Sequence, residues 1–419
     1  MRTLNALVLL FLLTLCAQAA LAAEASVVDP HAPHVSFHFQ DKEMDFAFGS
    51  LILGATSSGG CEIGEAFATA AHIKDGDAAS WQKEWLKTGK MAEERGDKAL
   101  AAGHKVSARQ QLLRASYYYR AAMVSMLPDD PRLTGTARRS RTLILRAGQL
   151  MEPRIEYVEI PFAGGRMQGL FRKAAQGAKP AKTLILIGGA ETFAEDLYFY
   201  IGPQAFARGY NFLTVDLPGQ GLMPLEGKVF RPAMDAPIRA VLDYALSHPE
   251  VDRTRLAVYG ISSGGGFAPQ AAMDEPRIRA LVMNNCVVDA EPGVAKMAVA
   301  KATPEIAAGW SSFKRQTNQG IAWRFGVDGN DLPGLVAANK GFRFDPARVS
   351  APALVLVSNG EYGNEEIRRQ TALCMDGLAS AVKKLVVTPA EEGASNHCIM
   401  ENRSLMSQEV LDWLDEVLR

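Results

Sequence analysis

Residues 256–266 read Leu256-Ala257-Val258-Tyr259-Gly260-Ile261-Ser262-Ser263-Gly264-Gly265-Gly266. A short apolar run ends in G-x-S-x-G, and Phe267–Met273 follows with a helical pattern. The pattern predicts Ser262 on a sharp turn between a buried strand and a helix, where its neighbours must be tiny to avoid clashing. Such a turn exposes Oγ and aims the N-terminus of the next helix at developing negative charge. Ser262 is the candidate nucleophile, and Ser263 lies off the centre of the motif. The same glycines would also make a plain turn, so the surrounding chain has to decide.

On both sides of this stretch, apolar runs alternate with helical patterns. Ile155–Ile160 and Met167–Arg172 read as a hairpin around Ala163-Gly164-Gly165. Thr183–Ile187 is continuously apolar, the mark of a strand buried on both faces. Asn211–Val215, Leu256–Tyr259, Ala280–Met283, Ala353–Val357 and Lys384–Val387 complete the set. This cadence predicts an α/β fold, a mostly parallel sheet flanked by helices, over residues 151–419. Residues 289–350 are too long for a simple loop and carry Trp310, Phe313, Trp323 and Phe325, so a lid-like insertion is expected there. Residues from roughly 40 to 150, within a cap assigned to 23–150, instead look helical, with no fixed repeat. Ser80 is the expected N-cap of a helix carrying Trp81, Trp85 and Leu86, and Ser107–Met126 is a second amphipathic stretch. An N-terminal helical cap is the expectation, its aromatics serving as core or as pocket wall.

A serine nucleophile needs a base, and on this kind of turn the chain order is nucleophile, acid, histidine. His397 is the only histidine after Ser262, which makes it the candidate base. The acid belongs in the loop after Ala353–Val357, where laying the strand on the pattern strand-H-G-x-x-D puts Glu361 at the acid position. Glu365 and Glu366 are the alternatives. An oxyanion hole needs two backbone N–H groups. Ser263 should supply one, and the loop Ile187-Gly188-Gly189-Ala190-Glu191-Thr192 the other, from Ala190 first and Gly189 next. Neither glycine cluster reads as a phosphate loop, for there is no G-K-[ST] and no G-x-G-x-x-G opening a helix.

Composition narrows the partners. The 419 residues are 48% hydrophobic, and Lys+Arg 45 against Asp+Glu 46 leaves a net charge of −1. That supplies no basic field for nucleic acid. Residues 1–22 have Arg2, the apolar run Ala6–Leu15 and Ala20-Leu21-Ala22, the layout of a cleaved signal peptide. Export to a periplasmic or secreted location is expected, with no stable membrane insertion after cleavage. Once Cys16 is removed, Cys61, Cys286, Cys374 and Cys398 remain. No C-x-x-C suggests zinc or thioredoxin chemistry. Cys374–Cys398 is the expected disulfide, set against four buried free thiols.

Several further segments carry a resemblance: Gly59-Gly60-Cys61-Glu62-Ile63-Gly64-Glu65, Ser80-Trp81 with Trp85, Ser107-Ala108-Arg109 and Tyr117-Tyr118-Tyr119-Arg120. Together with Gly188–Thr192, Asp216-Leu217-Pro218-Gly219-Gln220-Gly221 and Asp412-Trp413-Leu414, the chain resembles the helical-capped esterase group of the α/β-hydrolases. That group includes 2,6-dihydroxypseudooxynicotine hydrolase, fungal polyketide-shortening hydrolases and the fermentation-respiration switch protein. The resemblance implies a helical cap over an α/β-hydrolase core, no cofactor, and hydrolysis by a Ser-acid-His triad; no metal site is expected. The chain departs from the common pattern in carrying Glu361 where many hydrolases have Asp, and in its apparent export signal.

The expected activity is cleavage of a small or medium carboxylic ester, thioester or lactone through an acyl-enzyme on Ser262. Three alternatives stand beside it. One is hydrolysis of an activated C–C bond next to a carbonyl, with Asp289 or Glu291 as a proton source for the leaving group. A peptidase is the second, and a non-catalytic binding module on a hydrolase fold the third. A small-molecule substrate is the expected partner, and a homodimer is left open.

Overall fold

Leu184 and Leu186 point to one side of their strand and Ile185 and Ile187 to the other, and all four are fully buried. An apolar run of this kind is stable only inside a sheet covered on both faces. The computed structural model describes residues 34–175, 180–293, 295 and 308–419, so the signal sequence expected at residues 1–22 lies outside the described residues.

Eight strands form one sheet: β1 (Ile155–Phe162), β2 (Gly165–Arg172), β3 (Ala181–Ile187), β4 (Asn211–Val215), β5 (Val251–Ile261), β6 (Ala280–Asn284), β7 (Ala353–Ser358) and β8 (Lys383–Thr388). Their order is β1-β2-β4-β3-β5-β6-β7-β8. β1, β2 and β4 pair antiparallel, and every pairing from β4 to β8 through β3 is parallel. The predicted hairpin is there, with Ala163 and Gly164 both at positive φ in its turn. β5 starts at Val251, earlier than its apolar run, because residues 252–255 are partly or fully exposed and so carry polar side chains.

The helices are α1 (Lys42–Phe46), α2 (Ile63–Ala70), α3 (Ala78–Ala101), α4 (Lys105–Ala122), α5 (Leu133–Gly148), α6 (Ala194–Ala207), α7 (Asp235–Ser247), α8 (Gly264–Ala272), α9 (Ser312–Arg324), α10 (Leu332–Asn339), α11 (Asn359–Tyr362), α12 (Glu365–Gly377) and α13 (Arg403–Val417). One apolar cluster joins α1–α6 and α13 to Leu184, Leu186, Tyr259 and Leu356 on one face of the sheet. A second joins α7, α8 and α12 to Ile185, Val258, Met283 and Val355 on the other.

The N-terminal helices lie where the pattern put them, with two local corrections. Asp77, not Ser80, caps α3: its Oδ1 accepts the Ser80 N–H at 2.7 Å. Aspartate and serine cap comparably well, and Asp77 stands where its oxygen reaches the N–H three residues on, so the helix begins earlier. The stretch read as Ser107–Met126 begins at Lys105 and closes with a tight turn over Met123–Ser125. Trp81 and Trp85 are core, both fully buried. Trp81 Nε1 donates to Ala121 O at 2.8 Å, and the Trp81 ring meets Phe313 at 5.0 Å, which ties α9 to α3. Tyr118 donates to Glu65 and accepts the Glu62 N–H, so the Gly59–Glu65 segment is anchored on α4.

α5 is clamped to the sheet by Arg141, which bonds Glu195, Gln168 and Asp216, the last at 2.7 Å. The disulfide expectation is overturned. Cys286, just past β6, is bonded to Cys374 on α12, with Cα atoms 6.5 Å apart, while Cys61 and Cys398 are free and buried. Cys286 and Cys374 belong to the apolar cluster on one face of the sheet and Cys398 to the cluster on the other. A Cys374–Cys398 bond would have to pass through the sheet. No helix among the described residues is long and apolar enough to cross a membrane.

Candidate active site

The sharp turn after β5 is real, and its glycines are forced by contact. Ser262 has φ +57°, the left-handed region that side chains avoid. A Cβ on Gly260 would sit 2.0 Å from Gly264 O, and one on Gly264 would sit 2.5 Å from Ile187 O. The turn is locked by Ser262 N donating to Asn284 O at 2.5 Å and Gly265 N donating to Ser262 O at 2.8 Å. Strain of this kind costs about 1–3 kcal/mol and persists only where the surroundings over-determine it.

His397 and Glu361 meet Ser262 from the ends of neighbouring elements. Glu361 lies on α11, directly after β7, as the strand pattern predicts. His397 comes from the loop after β8, where Cys398 and Ile399 both have positive φ. His397 Nε2 is 2.9 Å from Ser262 Oγ, and Nδ1 is 2.6 Å from Glu361 Oε1. With Nδ1–H given to the carboxylate, Nε2 is left to accept the serine proton. Glu361 also accepts from Asn285 Nδ2 at 2.8 Å, Ser358 Oγ at 3.1 Å and Cys398 N at 3.0 Å. Glu365 and Glu366 stay on α12, where Glu366 pairs with Arg369.

Burial pushes the Glu361 carboxyl up, but the His397 cation and the donated hydrogen bonds outweigh it, and its pKa falls below the usual value. Burial disfavours the His397 cation, yet the Cys398 sulfur and the Glu361 carboxylate beside it raise its pKa above the free imidazole value. Burial also pushes the Cys398 thiol up, so Cys398 is neutral near pH 7 and Glu361 carries the stabilising charge. Glu361, His397 and Cys398 have donor atoms within 4.8 Å of one another, a set that could hold a metal. Both imidazole nitrogens and the carboxylate are already committed, so chelation would break the chain to Ser262.

The loop after β3 packs against the serine, where a Cβ on Gly189 would come within 2.7 Å of Ser262 Cβ. Gln220 Nε2 donates to Gly188 O at 2.7 Å and to Gly189 O at 2.9 Å. Because a trans peptide points its C=O and N–H oppositely, fixing the Gly189 carbonyl aims the Ala190 N–H the other way. Ala190 and Ser263 both line the cavity that contains Ser262.

Two cavities meet at Ser262, Ser263 and His397. The larger, about 260 Å³, runs under α4 and α9 and is lined by Phe46, Tyr117, Trp310 and Trp323. The smaller, about 180 Å³, is lined by Phe267, Asp289 and Phe342. Trp310, Trp323 and Tyr117 are therefore wall, whereas Trp81, Trp85 and Tyr118 are core. Glu291 does not line either cavity, and its N–H donates to Asp289 Oδ1 at 3.1 Å. The sequence reading missed Asn284, Asn285 and Cys398. For Asn284 and Asn285 the signal is position, since Ile261 pairs with Asn284 in register and the residues ending β6 must flank the serine turn, whereas Cys398 directly follows His397.

A family model described as Esterase FrsA-like matches residues 65–305, more than half of the chain. The chain belongs to this family. Membership of an esterase family, with relatives named hydrolases, supports an enzyme of the α/β-hydrolase kind over the binding-module alternative. Hydrolyase poxO of Penicillium oxalicum is 32% identical over 318 residues, covering 69% of this chain and 75% of that protein. Alpha/beta hydrolase gkaG of Penicillium citrinum is 38% identical over 261 residues, and the chain spans 60% of its length. Among solved structures, the 2,6-dihydroxy-pseudo-oxynicotine hydrolase superposes with a TM-score of 0.70 at 21% identity, covering 87% of this chain and 95% of that one. AbyA5 superposes at 0.60 with 19% identity. Both likenesses speak for the fold alone.

Proposed function

We propose that this esterase-family member hydrolyses a small or medium carboxylic ester, thioester or lactone through a Ser262–His397–Glu361 triad and an acyl-enzyme. The observation that carries the reading is the continuous hydrogen-bonded chain from Ser262 Oγ through His397 to Glu361, at 2.9 and 2.6 Å. Ser262 Oγ attacks the carbonyl carbon while His397 Nε2 takes its proton. The oxyanion receives the N–H groups of Ser263 and Ala190, with Gly189 as the neighbouring donor. The tetrahedral adduct then collapses, His397 protonates the departing alcohol or thiol, and water repeats the sequence on the acyl-enzyme. Cavities of about 260 and 180 Å³ favour small substrates over a polypeptide.

A fluorophosphonate should label the wild type and fail on Ser262→Ala, with kcat on p-nitrophenyl esters falling at least about 10⁴-fold. Undiminished labelling of the variant would end the proposal. Asp289, on the wall of the smaller cavity, supports C–C cleavage as the second reading. If Asp289→Asn loses turnover of a β-diketone while keeping that of an ester, this second reading holds. The Cys286–Cys374 disulfide supports work in an oxidising compartment, in keeping with the export signal.

A further inference from the structure

Four guanidiniums lie at or beneath the larger cavity, and three of them are spoken for. Arg120 pairs with Asp196 at 2.8 Å and also donates to Glu191 O. Arg141 is held by two carboxylates. Arg403 uses every nitrogen, giving Nε to Met400 O, Nη1 to Phe199 O and Nη2 to Ser50 O, Leu51 O and the Tyr117 hydroxyl.

Arg324 is different. It closes α9 on the cavity wall and is only 6% exposed. Its Nη1 donates to Gly219 O at 3.0 Å and Gly221 O at 3.3 Å. Among the described residues Nε and Nη2 have no acceptor, and no carboxylate forms an ion pair with it. Its plane lies near two rings, with the guanidinium carbon 5.2 Å from the Phe193 centroid and 5.6 Å from that of Trp323. Arg120 sits over the same Phe193 ring at 4.8 Å. Burial first, and the repulsion of Arg120 second, push the Arg324 guanidinium down to about 10, so it stays charged at neutral pH. The carboxylates of Glu191, Asp216 and Asp196 favour the cation without an ion pair to it, and an anion brought into direct contact with a buried cation recovers part of its desolvation cost.

The residue lines the same cavity as Ser262 and is linked to the serine turn through one loop. Gly219 and Gly221, which Arg324 holds, flank Gln220, and Gln220 in turn fixes the Gly188 and Gly189 carbonyls beside Ser262. With Nη1 engaged, the free side is the Nε–Nη2 edge. That edge presents two parallel N–H groups, the geometry that takes both oxygens of a carboxylate.

We propose that Arg324 is a specificity-determining residue that binds a carboxylate on the substrate, so that the preferred ester or thioester carries a free carboxylate in the part lying in the larger cavity. The inference rests on Ser262 as nucleophile, but its test is read by binding and does not depend on turnover. Titration calorimetry compares hexanoate with hexanamide on wild type, Arg324→Met and Arg324→Lys. Wild type should bind hexanoate about 10- to 100-fold tighter than hexanamide. The methionine variant should lose that ratio, and the lysine variant should keep part of it. In turnover, p-nitrophenyl hydrogen glutarate should be preferred to p-nitrophenyl butyrate in kcat/KM by wild type and not by Arg324→Met.

Equal binding of acid and amide by wild type overturns the proposal, as does an acid preference that survives in Arg324→Met. Wild-type fluorophosphonate labelling of Arg324→Met establishes an intact site. Should that variant fail to fold, the wild-type acid-to-amide ratio and the Arg324→Lys ratio decide. Carboxylate binding without hydrolysis of any ester would instead overturn the proposed function and leave the Arg324 assignment standing.

Discussion

In the proposed mechanism, Glu361 is the residue on which the chemistry of the site turns. Its two oxygens accept from His397, Asn285, Ser358 and Cys398, so it is held rigidly against the imidazole. The His397 cation is favoured in the folded protein, whereas the base must be neutral. Activity should therefore rise with pH through an ionisation above the ordinary imidazole value of about 6.5. Glu361→Gln removes the anion that favours the cation. Its kcat should fall about 10³- to 10⁴-fold, and the acid limb of the kcat/KM profile should move to lower pH. A limb that stays in place would assign the ionisation to another group. Ser262 and His397 were legible because a serine turn has a local signature and only one histidine follows it. Glu361 was legible because the end of a buried strand fixes where the acid must hang. Asn285 and Arg324 were not, since one reaches the site through strand register and the other through a long insertion, and nothing in the position of Cys398 beside His397 marks it as a neighbour of Glu361.

At the scale of elements, the loop after β3 depends on its neighbour. Gln220 is 1% exposed, gives both amide hydrogens to Gly188 O and Gly189 O, and accepts the Leu217 N–H at 2.9 Å. Gln220→Leu would orphan three buried groups and should cost about 1–3 kcal/mol. With the Ala190 peptide released, kcat should fall about 10- to 100-fold with KM nearly unchanged, measured by steady-state kinetics on an aryl ester. An unchanged kcat would place the oxyanion donors elsewhere. Strand positions could be read closely because double burial demands uninterrupted apolar runs. Ends were less legible. The start of α3 was set by Asp77 winning the cap over Ser80, a choice between two competent acceptors three residues apart.

Over the whole molecule, the Cys286–Cys374 bond closes an 88-residue separation that includes the lid-like region. Loop-closure entropy predicts about 4–5 kcal/mol of stabilisation from such a bond. Reductant should lower the melting temperature of wild type by several degrees and leave a Cys286→Ala/Cys374→Ala double variant unmoved. Equal shifts would mean that the bond is not formed in solution. Pairing was illegible beforehand because nothing in the spacing of four cysteines tells which face of the sheet each one occupies.

The apolar cluster that runs from Phe39 through Trp81, Tyr118 and Phe199 to Leu418 has a last consequence. The helices over the active site and one face of the sheet share a single interior, further bolted by Arg141. Specificity in this scaffold is therefore not a detachable part. Exchanging the N-terminal helices for those of a relative would expose or overfill that shared interior, so new substrate ranges are reached more readily through single wall residues such as Trp310, which lines the cavity and is not part of that interior.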